Sequence, residues 1–125
     1  MVDESLYDQV GGLPFFERLV NGFYAAVADD ELLRPMYPLD LTESKRNMVL
    51  FLGQYWGGPT TYMQERGHPR LRMRHAPFRI TKKARDAWID AMTKALQSVR
   101  PELTQEQFEE MTAYFDMAAN QMRNV

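Results

Sequence analysis

RGHPRLRMRHAPFR, residues 66–79, holds both histidines of the chain, His68 and His75, and five of its arginines, with no acidic residue among them. How this stretch is read decides the fold. Gly67 and Pro69 forbid one continuous helix through both histidines. A short helical turn around Arg70 to His75 remains. It must stop before Pro77, because Ala76 ahead of a proline is pushed out of helical geometry. Positive charge continues to Arg85, giving eight basic residues and no acidic one; the rest of the chain has 7 basic and 17 acidic residues. The formal net charge of −2 thus conceals a local cationic segment whose natural partner is a local anion.

Outward from this stretch the sequence is helical in period. Immediately upstream, GGPTTYMQERGHP is punctuated by Gly57, Gly58, Pro59, Gly67 and Pro69 and reads as a long loop, of the kind that usually carries function. Before it, Thr42 is expected to cap a helix running to about Tyr55, with Ser44, Met48, Phe51 and Tyr55 on one stripe. DDELLRPMYP reads as a brief helical turn ended by prolines. Phe16, Leu19, Val20, Phe23 and Val27 fall three or four apart with Pro14 in the first turn, another helix. Gly11 and Gly12 separate it from a short N-terminal one. Downstream, Thr81 caps a helix whose apolar face includes Ala84, Trp88, Met92 and Leu96. Pro101 breaks that helix. Thr104 and Gln107 form a capping box for the last one, with Phe108, Met111, Phe115, Ala118 and Met122 inside. No strand pair or repeat emerges. The expectation is an all-α chain forming a single domain over residues 1–125.

Composition narrows the class. The chain has 45% hydrophobic residues, 15 aromatics and 9 methionines, enough for a packed core and against disorder. Cysteine is absent, so there is no disulfide framework and no thiolate nucleophile, which suits a reducing, cytoplasmic setting. The acidic start MVDESLYDQV lacks the apolar core of a signal peptide, and no apolar run is long enough to span a bilayer.

Four readings compete for the opening stretch. As ordinary surface residues in an arginine-rich loop, the histidines need no further explanation. A two-histidine zinc site finds no HExxH or CxxC pattern to support it. A nucleic-acid or phosphate-binding module built on residues 66–85 has the right arginine density. The net negative remainder opposes it, and no helix-turn-helix or RNA-binding signature appears. The fourth reading is a porphyrin: a large apolar disc with one iron and two edge carboxylates, which needs an imidazole, an apolar slot and cations. His75 closes a helical turn, and Phe78 and Ile80 follow it. Leu71, four residues earlier, offers a backbone carbonyl to the second ring nitrogen. The arginines suit bidentate carboxylate pairing, although Arg70, Arg72 and Arg74 cannot all face one carboxylate from a helical turn.

QYWGGPTTYMQERGHPRLRMRHAPFRI (residues 54–80) and RDAWIDAM (residues 85–92), with Phe23-Tyr24, Met36-Tyr37-Pro38 and the two Gly-Gly pairs, resemble the bacterial group II truncated haemoglobins, whose actinobacterial members are of the truncated haemoglobin O type. The resemblance runs from about Leu6 to about Met122. It implies a two-over-two helical sandwich around haem b, with His75 as proximal iron ligand and Tyr24, Tyr37 and Trp88 as the polar distal groups. Ser44, Met48 and Phe51 would line the distal slot, Ser44 standing where vertebrate globins place a distal histidine. Leu52, Tyr62, Leu71, Phe78, Ile80 and Met92 complete the expected pocket. Where the family commonly puts a propionate-binding base on the distal helix, this chain has Asn47, which shifts those contacts to Arg74, Tyr62 or His68.

The resemblance implies a five-coordinate iron that binds dioxygen, and also nitric oxide or carbon monoxide, with slow oxygen release because several O–H and N–H donors face the ligand. The same site suits a peroxidase-like or nitric-oxide-detoxifying enzyme. No flavin domain is visible, so a redox cycle needs an external reductase. Self-association occurs in this lineage, but no apolar stretch marks an interface.

Overall fold

Local chemistry sets where most helices begin. In the computed structural model, which describes residues 4–125, the Ser5 hydroxyl accepts the Asp8 N–H at 3.2 Å and opens α1 (Leu6–Gln9). Gly11 and Gly12, both with φ in the left-handed region, turn the chain into α2 (Leu13–Ala28), with Pro14 in its first turn. A 3-10 turn spans Arg34–Met36 and is followed by α3 (Thr42–Tyr55). Thr42 is the first residue of α3 and not its cap; the Asp40 carboxylate accepts the Thr42 N–H at 2.9 Å instead. Asp40 is therefore held below the ordinary aspartate range, chiefly by that backbone bond. The segment read as one long loop contains α4 (Thr61–Arg66). Next come α5 (Leu71–His75) and α6 (Lys82–Ser98), the latter capped by Thr81, whose hydroxyl accepts the Ala84 N–H at 3.1 Å. After a 3-10 turn at Arg100–Glu102, α7 (Gln105–Met122) starts from the Thr104–Gln107 capping box, both of its hydrogen bonds formed.

The architecture is all-α, with no strand among the described residues. Two helix pairs form it: α2 lies on α3 and on α6, and α6 lies on α7. The α2 stripe is the centre of the core. Phe15, Phe16, Leu19, Val20, Phe23 and Val27 are fully buried there. Met92, Ala95 and Leu96 of α6 and Met111 and Phe115 of α7 join the same cluster. Aromatic contacts link the layers: Phe16 stacks on Trp56 at 6.0 Å, and Trp56 meets Phe115 edge-on at 5.8 Å. The far end of the chain returns to the centre. Ile80 donates its N–H to the Asn124 side chain at 2.9 Å and accepts the Asn124 N–H at 3.0 Å; the Asn124 amide also donates to the Phe78 carbonyl at 2.9 Å.

Gly58 shows how tightly α1 sits against the end of α3. A Cβ there would lie 2.6 Å from the Tyr7 ring and 2.8 Å from the Gly53 carbonyl oxygen. The backbone atom cannot yield cheaply, and Tyr7 is tethered by its N–H to the Trp56 carbonyl at 3.0 Å. Gly58→Ala is expected to cost about 1–3 kcal/mol, the ordinary scale of overpacking. Thermal melts of the ligand-loaded protein check this; a midpoint unchanged from wild type would show that the α1 contact is dispensable.

Candidate functional site

Between α3, α5, α6 and α7 the core opens into a cavity of about 420 Å³. Side chains fill protein interiors at crystal-like density, so a space of this size within a packed core is built for a ligand. One wall comes from α3: Ser44, Asn47, Met48, Phe51 and Leu52 face it. Their spacing is the stripe expected of one helix face. Tyr62 of α4 extends this wall, buried, with its ring edge-on to Phe51 at 5.5 Å. Gln54 and Arg46 hold α4 in place: the Gln54 side chain accepts the Met63 N–H at 2.9 Å, and Arg46 pairs bidentately with Glu65 at 2.7 and 2.8 Å.

His75 lies on the opposite wall, at the last residue of α5. Its Nδ1–H donates to the Leu71 carbonyl oxygen at 2.7 Å. A carbonyl only accepts, so this bond sets the tautomer and leaves Nε2 as the ring nitrogen with a free lone pair. Leu71, Phe78 and Ile80 line the cavity beside it. α5 is too short to hold itself by helical bonds alone. Arg74 braces it, Nε donating to the Pro69 carbonyl at 2.7 Å and Nη2 to the Arg66 carbonyl at 3.2 Å.

Tyr24, Tyr37 and Trp88 form a polar corner of the same cavity. Tyr24 and Tyr37 pack edge-to-face at 5.4 Å, and Trp88 lies tilted against Phe23 at 5.3 Å. Tyr37 follows the 3-10 turn, and its loop is pinned by Arg34, which donates to the carbonyls of Tyr37, Pro38 and Leu39 at 3.3, 2.9 and 3.0 Å. Burial pushes the Tyr37 hydroxyl up to about 12, with the nearby Trp88 indole N–H pulling the other way. Burial raises the Tyr24 hydroxyl further, and the neighbouring Tyr37 adds to that. Both phenols therefore remain protonated donors throughout the physiological range.

Two residues expected in the pocket are elsewhere. His68 is exposed, and its Nδ1 accepts the Arg70 N–H at 3.2 Å in the turn before α5. Met92 is fully buried in the core cluster and does not line the cavity. Conversely, Arg66 and Arg85 border the cavity without having been singled out. Arg66 lies over the Tyr62 ring at 5.9 Å, and Arg85 is tied to Asp86 and Asn120. The α7 residues Phe115, Ala118, Ala119 and Met122 supply the cavity's remaining side. Their three- and four-residue spacing was visible as an apolar stripe; nothing in it distinguished a ligand wall from plain core.

The donor set suits a haem. An imidazole with a fixed tautomer faces an apolar slot, and Arg66 and Arg74 border the same space for two carboxylates. Among the described residues no group of three or more His, Cys, Asp or Glu is placed to hold a bare metal ion, and no helix is long and apolar enough to cross a membrane.

Comparison with known proteins agrees with this geometry. The sequence pattern of the bacterial-like globin family matches residues 5–123. The group 2 truncated hemoglobin YjbI of Bacillus subtilis (strain 168) is 46% identical over 93 residues, 74% of this chain and 70% of that protein. The crystal structure of hemoglobin from Chloroflexus aurantiacus superposes with a TM-score of 0.94 at 46% identity, covering 98% of this chain and 100% of the other. The group II truncated hemoglobin of Bacillus anthracis superposes equally well, with a TM-score of 0.94 at 36% identity, covering 100% of this chain and 95% of that one. Globins of this kind bind haem iron. The chain therefore belongs to the bacterial-like globin family, with group II truncated haemoglobins as its relatives.

Proposed function

We propose that this globin binds dioxygen on a haem b held by His75 and releases it slowly, because Tyr24, Tyr37 and Trp88 surround the ligand with donors. The observation that carries the reading is the 2.7 Å bond from His75 Nδ1–H to the Leu71 carbonyl. It commits Nδ1 and supports Nε2 as the nitrogen for iron, in a slot that Tyr24, Tyr37 and Trp88 also line. The haem supplies the iron at which a diatomic gas binds.

The chain's own residues do the rest. The Leu71 carbonyl orients the His75 ring and raises its basicity. Arg66 and Arg74 offer guanidiniums to the two propionates; Arg74 keeps Nη1 for this after Nε and Nη2 are engaged, whereas Arg85 is held by Asp86 and Asn120. Met48, Phe51, Leu52 and Phe115 exclude water and lower the local dielectric, which strengthens every polar contact inside. The Tyr37 hydroxyl and the Trp88 N–H then favour a ligand that gathers negative charge on binding, as dioxygen does and carbon monoxide does not. Tyr24, packed edge-on to Tyr37, orients it.

A hydrogen bond to a charged group contributes about 1.5–3 kcal/mol, and each 1.4 kcal/mol is about ten-fold. Trp88→Phe keeps the bulk and deletes one N–H, so oxygen dissociation is expected to quicken by roughly ten-fold or more. Tyr24→Phe alone should do less. Tyr24→Phe and Tyr37→Phe together should be non-additive, because the two rings are in direct contact. Stopped-flow oxygen release from the single variants and the double variant tests this. An unchanged rate in Trp88→Phe removes the indole from the mechanism and leaves Trp88 as a core residue.

A further inference from the structure

The cationic segment is not consumed by the pocket. Among the described residues Arg70, Arg72, Arg79 and Lys83 pair with no carboxylate, and all four are exposed. Arg72 and Arg79 flank a surface concavity whose floor is Met73, Ala76, Pro77 and Phe78. Met73 is 60% and Phe78 44% exposed, high for side chains of this size. Asn124 and Val125 line its remaining side; an apolar centre flanked by two arginines is the anatomy of a docking surface. Phe78 belongs to both spaces: its side chain lines this concavity and also the cavity that holds His75. Phe78 therefore links this exposed concavity to the slot on the histidine side.

That shared ring selects the kind of partner. A haem iron must be reduced before it binds dioxygen, so a surface that shares a side chain with the slot is a place for electrons to arrive. We propose that this face docks a small acidic one-electron carrier protein of the iron–sulfur ferredoxin class, which reduces the haem iron across Phe78. The inference rests on the haem reading above. One electron leaves the carrier's cluster, which is oxidised, and the ferric iron becomes ferrous; no bond forms or breaks and no proton moves. Such encounters are small and weak, as befits a patch of this extent. Oppositely charged faces speed them by steering. A nucleic acid fits less well, because the net negative charge of the rest of the chain repels a long polyanion.

The test uses the haem-loaded ferric protein and a purified acidic [2Fe–2S] ferredoxin. Stopped-flow reduction and calorimetric binding are measured for wild type, Arg72→Glu/Arg79→Glu and Met73→Ala. The charge-reversed variant should be reduced roughly ten-fold or more slowly at low ionic strength. Its deficit should vanish as ionic strength rises from about 0.01 to about 0.15 M, where the Debye length shrinks from about 30 to about 8 Å. Met73→Ala should weaken binding without changing the salt slope. Dithionite, which needs no docking, should reduce all three proteins alike. Equal ferredoxin rates in wild type and the charge-reversed variant, with normal dithionite reduction, overturn the docking face alone. So does a variant that loses affinity for phosphatidylserine vesicles or duplex DNA while keeping its ferredoxin rate. A protein with no reducible Soret-absorbing cofactor overturns the haem reading itself.

Discussion

His75→Ala is expected to lower haem affinity by more than about 100-fold, while His68→Ala leaves the iron coordinated. Losing only an outer-shell partner of a metal ligand costs roughly 10–100-fold; losing the ligand must exceed that. The contrast rests on placement. His75 faces the cavity with Nδ1–H committed to Leu71, so its second nitrogen is available to iron. His68 is exposed, outside the cavity, and spends its Nδ1 on the Arg70 N–H. Haem transfer to an excess of apomyoglobin gives the loss rate, and resonance Raman gives the iron–imidazole signature. If the His68 variant lost that signature and the His75 variant kept it, the proximal assignment would be reversed.

Removing the haem should have the next largest effect. Held open and dry, a cavity of about 420 Å³ would cost on the order of 10 kcal/mol at ~24 cal/mol per Å³. That is comparable with the whole net stability of a domain, about 5–15 kcal/mol. The apoprotein cannot sustain it; the walls must collapse or flood. In linkage terms, a ligand present at about 1,000 times its dissociation constant adds ~4 kcal/mol to the folded state. The apoprotein should therefore melt at least about 10 °C below the loaded protein. α5 should lose amide protection most, since its bracing comes from Arg74 and its other wall from the ligand. Equal midpoints would mean that haem is no part of the core.

What was legible in the sequence was what depends on neighbours in the chain. Thr81, Thr104 and Gln107 cap their helices because a cap is a contact over three residues. The carbonyl partner of His75 was legible for the same reason, lying one helical turn away. Misplacements came where distance in space decides. Met92 shares a helix face with Trp88, yet it is buried in the core cluster while Trp88 reaches the cavity. His68 sits in a stretch rich in site residues, but the turn at Gly67 directs it outward. Thr42 is not the cap because the helix begins at Thr42 itself, whose own N–H goes to the Asp40 carboxylate two residues before. α4 was hidden by the glycines and prolines on either side, which mark its ends and say nothing of its six-residue interior. Arg34 and Arg66 gave no signal, since one acts through backbone carbonyls and the other borders the cavity from the side.

The clasp between Asn124 and the Phe78–Ile80 segment has a consequence for the order in which this molecule assembles. Its side-chain bonds join residues 44 and 46 positions apart. Long loops close more slowly than local turns form. During synthesis the chain emerges N-terminus first, so α2 and α3 can associate before α7 exists. The wall bearing Tyr24 and Met48 is then complete while the histidine-bearing turn is still unclasped. A cofactor captured at that moment meets a slot whose Phe78–Ile80 side is not yet fastened. Asn124, two residues beyond the last helix, closes it, so uptake is expected to be fastest in a chain that has not finished folding and loss slowest in one that has.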